Sequence, residues 1–145
     1  PLVPELTAIR APQTGLEGKF SIYHAAAVAL VAGAAGEPQF ADAAVRDPRI
    51  AAVRERVTIA AEPAIRKLEA HVAVTLRDGR KLERHVEHAL GTVQRPMRDA
   101  DLEEKFRSLT ADVLQPAQVD TLIRACWQLD TLADVGEIAR AAAAT

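Results

Sequence analysis

At 145 residues and 49% hydrophobic composition, the chain has enough apolar side chain for one ordinary domain or two small lobes, which excludes a disordered tail. Its 18 basic and 20 acidic residues leave a net charge of −2, which excludes a general pull toward nucleic acid or anionic membrane. One cysteine, Cys126, excludes an internal disulfide and fits a reducing cytoplasm, and the longest apolar run, Ala25 to Ala35, is broken by Gly33 and too short for a bilayer. Only 3% of residues are aromatic, so small side chains and closely packed helices are expected. The opening Pro1-Leu2-Val3-Pro4 lacks an initiator methionine and reads as a fragment or processed piece.

Pro1 to Gly18 reads as extended and loop-like, with Leu2 to Ile9 as a short strand and Pro12 to Gly18 as a connecting loop. Ser21 is suited to cap a helix running to about Ala35. Ala25 to Val31 leave that helix no polar stripe, so it is expected to be buried on all sides. Gly33, Gly36 and Glu37-Pro38 stop it. Short helices follow around Phe40 to Val45 and Pro48 to Arg56, the second capped by Asp47 and facing inward through Ile50 and Val53.

Val57 to Ala61 reads as a strand, and Leu68–Leu76 with Arg80–Glu87 as a hairpin. A two-residue Asp78-Gly79 turn would put Leu82 and Val86 on the face opposite Val72, Val74 and Leu76, splitting the core. A three-residue loop, Arg77-Asp78-Gly79 with Gly79 left-handed, pairs Val74 with Leu82 and Ala70 with Val86 and keeps them together. The same register sets His71 opposite His85, but two imidazoles with no third ligand in view do not make a metal site. Beyond Gly91 the pattern turns helical. Asp99 is placed to cap one helix, with Leu102, Phe106 and Leu109 on one face; Pro116 opens a second through Val119, Leu122, Ile123, Cys126 and Trp127, with Cys126 read as a small core residue. Asp134 and Glu137 read as a capping box for a third, with Val135, Ile138 and Ala142 inward.

No nucleophile elbow, phosphate loop, dinucleotide fingerprint or zinc-type cysteine pair is present. What remains is the helix start at Lys19-Phe20-Ser21-Ile22-Tyr23-His24. Free N–H groups, the positive end of the helix dipole, an ammonium and an imidazole together suit a small anion, and His24 has a side chain able to exchange a proton near neutrality. The same residues equally suit a plain cap, a satisfied histidine and a solvated lysine.

Thr14-Gly15-Leu16-Glu17-Gly18-Lys19-Phe20-Ser21-Ile22-Tyr23-His24, the alanine-rich helix ending at Gly33, Val72 to Leu76 with Asp78-Gly79, and Gly91 through Pro96-Met97 to Asp101-Leu102-Glu103-Glu104-Lys105-Phe106 resemble the C-terminal third of the MmgE/PrpD family. That family includes 2-methylcitrate dehydratase, cis-aconitate decarboxylase and iminodisuccinate epimerase. The resemblance implies an α+β fold: a lid domain over residues 1–93, with a hairpin-containing antiparallel sheet on a buried helix, then C-terminal helices over 94–145 that pack on a large helical domain absent here. It implies a lyase or isomerase of small di- or tricarboxylic acids, working by proton abstraction beside a carboxylate, without cofactor or metal, as a cytoplasmic homodimer. His24 then stands as the catalytic residue, with Lys19, Ser21 and Tyr23 binding substrate. Without the helical domain the isolated chain is expected to be inactive, needing a second polypeptide that carries it. The alternative is a non-catalytic association module using the Val119 to Trp127 face.

Overall fold

The computed structural model describes residues 2–143; Pro1 and the last two residues of the alanine-rich end lie outside them. The fold is mixed α and β, and the chain divides into two compact units, Pro1–Arg95 and Pro96–Thr145. None of the described helices is long and apolar enough to cross a membrane.

The first unit opens with helix α1 (Leu2–Leu6) where a strand was expected. A proline is tolerated in a first helical turn, because the N–H it lacks has no helical partner there anyway. Thr7 closes the turn, its N–H and its hydroxyl both donating to the Val3 carbonyl. Extended pairing survives only at Ala8, which bridges Ser21. The expected Pro12–Gly18 loop contains a second short helix, α2 (Gly15–Lys19), which Thr14 caps by accepting from the Glu17 N–H.

Helix α3 (Ile22–Ala32) begins at its Ser21 cap and stops at Gly33, whose φ of 67° is the left-handed geometry that a residue without Cβ adopts at least cost. It is not buried all round. Tyr23, His24, Ala27 and Val28 are enclosed, whereas Leu30 is 57% exposed. A 3₁₀ turn (Glu37–Phe40) leads to α4 (Asp42–Arg46) and α5 (Pro48–Arg54), and the Asp47 carboxylate caps α5 by accepting from the Arg49 N–H. The core of this unit is small: Ala27 and Val28 of α3 against Ile50 of α5, with Phe40, Ala44 and Val53 packed around them. Burial of Val28, Val45 and Ile50 contributes about 1.5–3 kcal/mol each.

Val57 to Ala61 forms no strand, having no partner to satisfy its ladder groups. Strands β1 (Ala70–Thr75) and β2 (Lys81–Val86) pair antiparallel in the register a three-residue loop dictates, Val74 with Leu82 and Ala70 with Val86. Gly79 sits at φ 87°, as that loop requires. His71 faces His85. The hairpin does not hide its apolar face on a helix, however: Val72 and Leu82 are each about half exposed, at 49% and 54%.

The second unit holds α6 (Asp99–Thr110), α7 (Pro116–Trp127) and α8 (Gly136–Ala141). The cap of α6 is Arg98, one residue before Asp99, and the Asp101 carboxylate accepts its N–H at 2.9 Å. Val119, Leu122 and Ile123 are buried, as their spacing demands. Cys126 is exposed rather than in the core: its spacing continues that stripe, but there it lines an open groove with Ile123 and Trp127. The expected Asp134–Glu137 capping box does not form: the cap of α8 is Val135, and the Asp134 carboxylate accepts from the Gly136 N–H at 2.8 Å instead, while Val135 is 60% exposed and Ala142 lies open.

Candidate functional site at the start of the third helix

Thr14 to His24 folds into a corner between α2 and α3, and most of its residue types are explained by how tightly that corner is tied. Gly15 has no side chain because the Phe40 carbonyl oxygen lies 2.2 Å from where a Cβ would stand. Its N–H donates to Asp42 Oδ1 at 2.7 Å, fastening α2 to α4. Gly18 makes room in the same way for Val45, whose Cγ2 is 2.8 Å from the position of a Cβ. Glu17 turns back to accept the Gln13 N–H at 2.6 Å.

Ser21 works on two sides. Its hydroxyl donates to the Ile9 carbonyl and accepts from the His24 N–H at 3.0 Å. The strap of residues 7 to 9 is thereby bound to the helix start, where the Ile22 N–H also donates to the Thr7 carbonyl at 3.0 Å. Of the first-turn donors, Ile22, His24 and Ala25 are all engaged by the protein's own oxygens. Of these first-turn donors, the Tyr23 N–H alone has no partner among the described residues, so an anion arriving here meets one open donor rather than several.

His24 is fully enclosed, with no exposed surface. Its ring stands edge-on to Phe40, centroids 5.3 Å apart. Nε2 lies 2.9 Å from the Gln39 carbonyl, which only accepts, and Nδ1 lies 3.4 Å from Arg54 Nη1, which only donates. These partners assign the neutral Nε2–H tautomer. An imidazole expected to face a cleft therefore points inward in this chain and joins α3 to α5 and to the 3₁₀ turn, because both of its nitrogens find partners there.

Lys19 is exposed on the rim, whereas Tyr23 is largely buried. Lys19 Nζ is 2.7 Å from Glu37 Oε1, an exposed pair of the kind worth at most about 1 kcal/mol. Tyr23 is 8% exposed, with the Arg10 guanidinium 4.8 Å above its ring centroid. The four anticipated residues thus occupy one corner, but only Lys19 is exposed there; Ser21, Tyr23 and His24 are buried.

Arg54 and Arg10 were not anticipated. Arg54 is 9% exposed, and its Nη1 also donates to the Val45 carbonyl at 3.0 Å. Its place four residues after the inward Ile50 was the available signal. Arg10 lies in a loop without periodicity, and nothing in its surroundings along the chain announces it. Among the described residues no three His, Cys, Asp or Glu side chains converge as a metal site.

The sequence model of the MmgE/PrpD C-terminal domain matches residues 3–129. The cis-aconitate decarboxylase of Homo sapiens is 26% identical over 127 residues, covering 85% of this chain and 26% of that protein. The cis-aconitate decarboxylase of Mus musculus is 24% identical over 133 residues, covering 89% of this chain and 27% of that protein. The chain spans about a quarter of the length of these curated relatives. With that match running through the whole corner and into α7, the chain belongs to the MmgE/PrpD family, whose C-terminal domain it carries.

Proposed function

We propose that this chain is the lid and C-terminal helices of a lyase or isomerase acting on small di- or tricarboxylic acids, by proton abstraction next to a carboxylate and without metal or nucleotide. Residues 1–93 serve as the lid and 94–145 dock on a helical domain that comes from another stretch of polypeptide. The family match over residues 3–129 carries this reading. Within the corner, Lys19 and Tyr23 are the substrate-binding side chains, Lys19 from the exposed rim and Tyr23 from beneath the Arg10 guanidinium. Ser21 and His24 act from behind them: the enclosed imidazole positions the turn rather than exchanging a proton with substrate. The assembled enzyme is a cytoplasmic homodimer.

Melting the 145-residue chain in the presence of citrate, 2-methylcitrate, cis-aconitate or iminodisuccinate tests the reading, since a ligand that binds only the folded state raises the melting temperature. A rise that shrinks in Lys19→Ala and Tyr23→Phe supports it. No rise with any of the acids, or a rise indifferent to both substitutions, overturns the assignment of this corner.

The second reading, an association module, is favoured by one observation. Leu102, Phe106, Ile123, Cys126 and Trp127 line an open, mostly apolar groove of about 210 Å³ in the second unit. A concentration-dependent dimer in sedimentation, together with indifference to every acid, would favour it.

A further inference from the structure

The root of the hairpin carries a different concentration of positive charge, away from the α2–α3 corner in sequence. Arg84, His85, His88, Gln94 and Arg95, with Val86 and Glu87, line a surface cavity of about 230 Å³. Its backbone is well held. Gly91, at φ 90°, turns the chain back so that its N–H donates to the Arg95 carbonyl at 2.8 Å, and Thr92 and Arg95 form a bridge, bringing Arg95 against the His88 carbonyl.

The charges do not cancel inside the cavity. Glu87 is its sole acid among the lining residues, and Arg66 Nη2 already holds that carboxylate at 2.7 Å. Arg66 also holds Glu69 at 3.0 Å, and Glu69 in turn takes His85 Nε2 at 2.6 Å, which fixes that ring at the cavity wall. Among the described residues neither the Arg84 nor the Arg95 guanidinium meets a carboxylate. Two planar forks of donors beside a cavity large enough for a small metabolite are what a polyvalent oxyanion requires.

We infer that the cavity bounded by Arg84, His88, Gln94 and Arg95 is a binding site for a small polyvalent oxyanion, a di- or tricarboxylate or inorganic phosphate. The inference stands independently of the function proposed for Lys19 and Tyr23.

Amide NMR of the 145-residue chain, titrated at constant ionic strength with citrate, phosphate, acetate and chloride, tests it. Saturable shifts confined to residues 84–88 and 94–95 are expected with citrate or phosphate, and whichever anion binds identifies the source. Arg84→Gln and Arg95→Gln should each weaken binding by about fivefold, the loss of one exposed charge-assisted contact. Both side chains are exposed, so the remaining amides report that the fold persists. Equal shifts with chloride, unchanged affinity in the double variant, or shifts restricted to residues 19–24 would overturn the inference. The last of those outcomes would leave the corner proposed above intact.

Discussion

His24 and Arg54, thirty residues apart in the chain, meet inside the first unit with Nδ1 3.4 Å from Nη1, while the opposite ring nitrogen donates to the Gln39 carbonyl at 2.9 Å. The imidazole is the joint between α3, α5 and the 3₁₀ turn, and its removal leaves both a void and an unmatched guanidinium donor. His24→Ala is therefore expected to destabilise the first unit by about 2–4 kcal/mol. His24→Gln, whose amide can both donate and accept, should cost about half as much. Urea denaturation followed by circular dichroism measures both, and an unchanged midpoint in His24→Ala would show that the ring holds nothing together.

The two corner glycines should tolerate alanine badly, and for a reason distinct from backbone freedom. At Gly15 a Cβ would stand 2.2 Å from a backbone oxygen, and at Gly18 2.8 Å from the stiff Val45 side chain. Each substitution is expected to cost about 1–3 kcal/mol, with Gly15→Ala the worse because backbone must move. Gly33→Ala meets open space but a positive φ, and should cost about 1 kcal/mol. Thermal melts should rank the three in that order.

Acid should weaken both units through specific carboxylates. The Arg49 side chain and N–H hold Asp47 at about 2 against an ordinary 3.8. The Arg98 side chain and N–H do the same for Asp101. The Arg66 N–H, then His85, brings Glu69 from 4.5 to about 2. Folded values below unfolded ones mean stabilisation that is complete above about pH 5 and fades as pH falls through 4 toward 2. Urea midpoints across that window should decline, and Asp47→Asn should flatten the part of the decline that belongs to α5. A pH-independent midpoint between 2 and 5 would contradict these assignments.

Cys126 and Trp127 offer direct readouts of the second unit. Cys126 is exposed, so Ellman's reagent should react with one thiol per chain without denaturant. Trp127 is 51% exposed, with Nε1 donating to Glu103 Oε1 at 2.9 Å. Its emission should be that of a wet indole, readily quenched by iodide. Slow labelling and blue-shifted, shielded emission would mean that the groove is covered in solution.

Short-range chemistry made much of this fold legible in the residues. Ser21 as a cap, Gly33 as a stop, Asp47-Pro48 as a start, Pro116 opening α7 and Gly79 in a three-residue loop each act through partners within about four positions, so a linear reading contains both halves of the interaction. Of these, Ser21, Gly33 and Gly79 also carried the family resemblance. Val57 to Ala61 failed as a strand because pairing needs a second segment, which periodicity alone does not supply.

The destination of each side chain at the candidate site was decided by tertiary structure. His24 finds its partners fifteen and thirty residues away, Lys19 finds Glu37 eighteen away, and Tyr23 finds Arg10 in an irregular loop. Sequence placed four polar groups at one helix entrance. Folding buried three of them and left Lys19 outward, because burying the imidazole between a carbonyl and a guanidinium satisfies both its nitrogens, while an ammonium on the rim keeps its water.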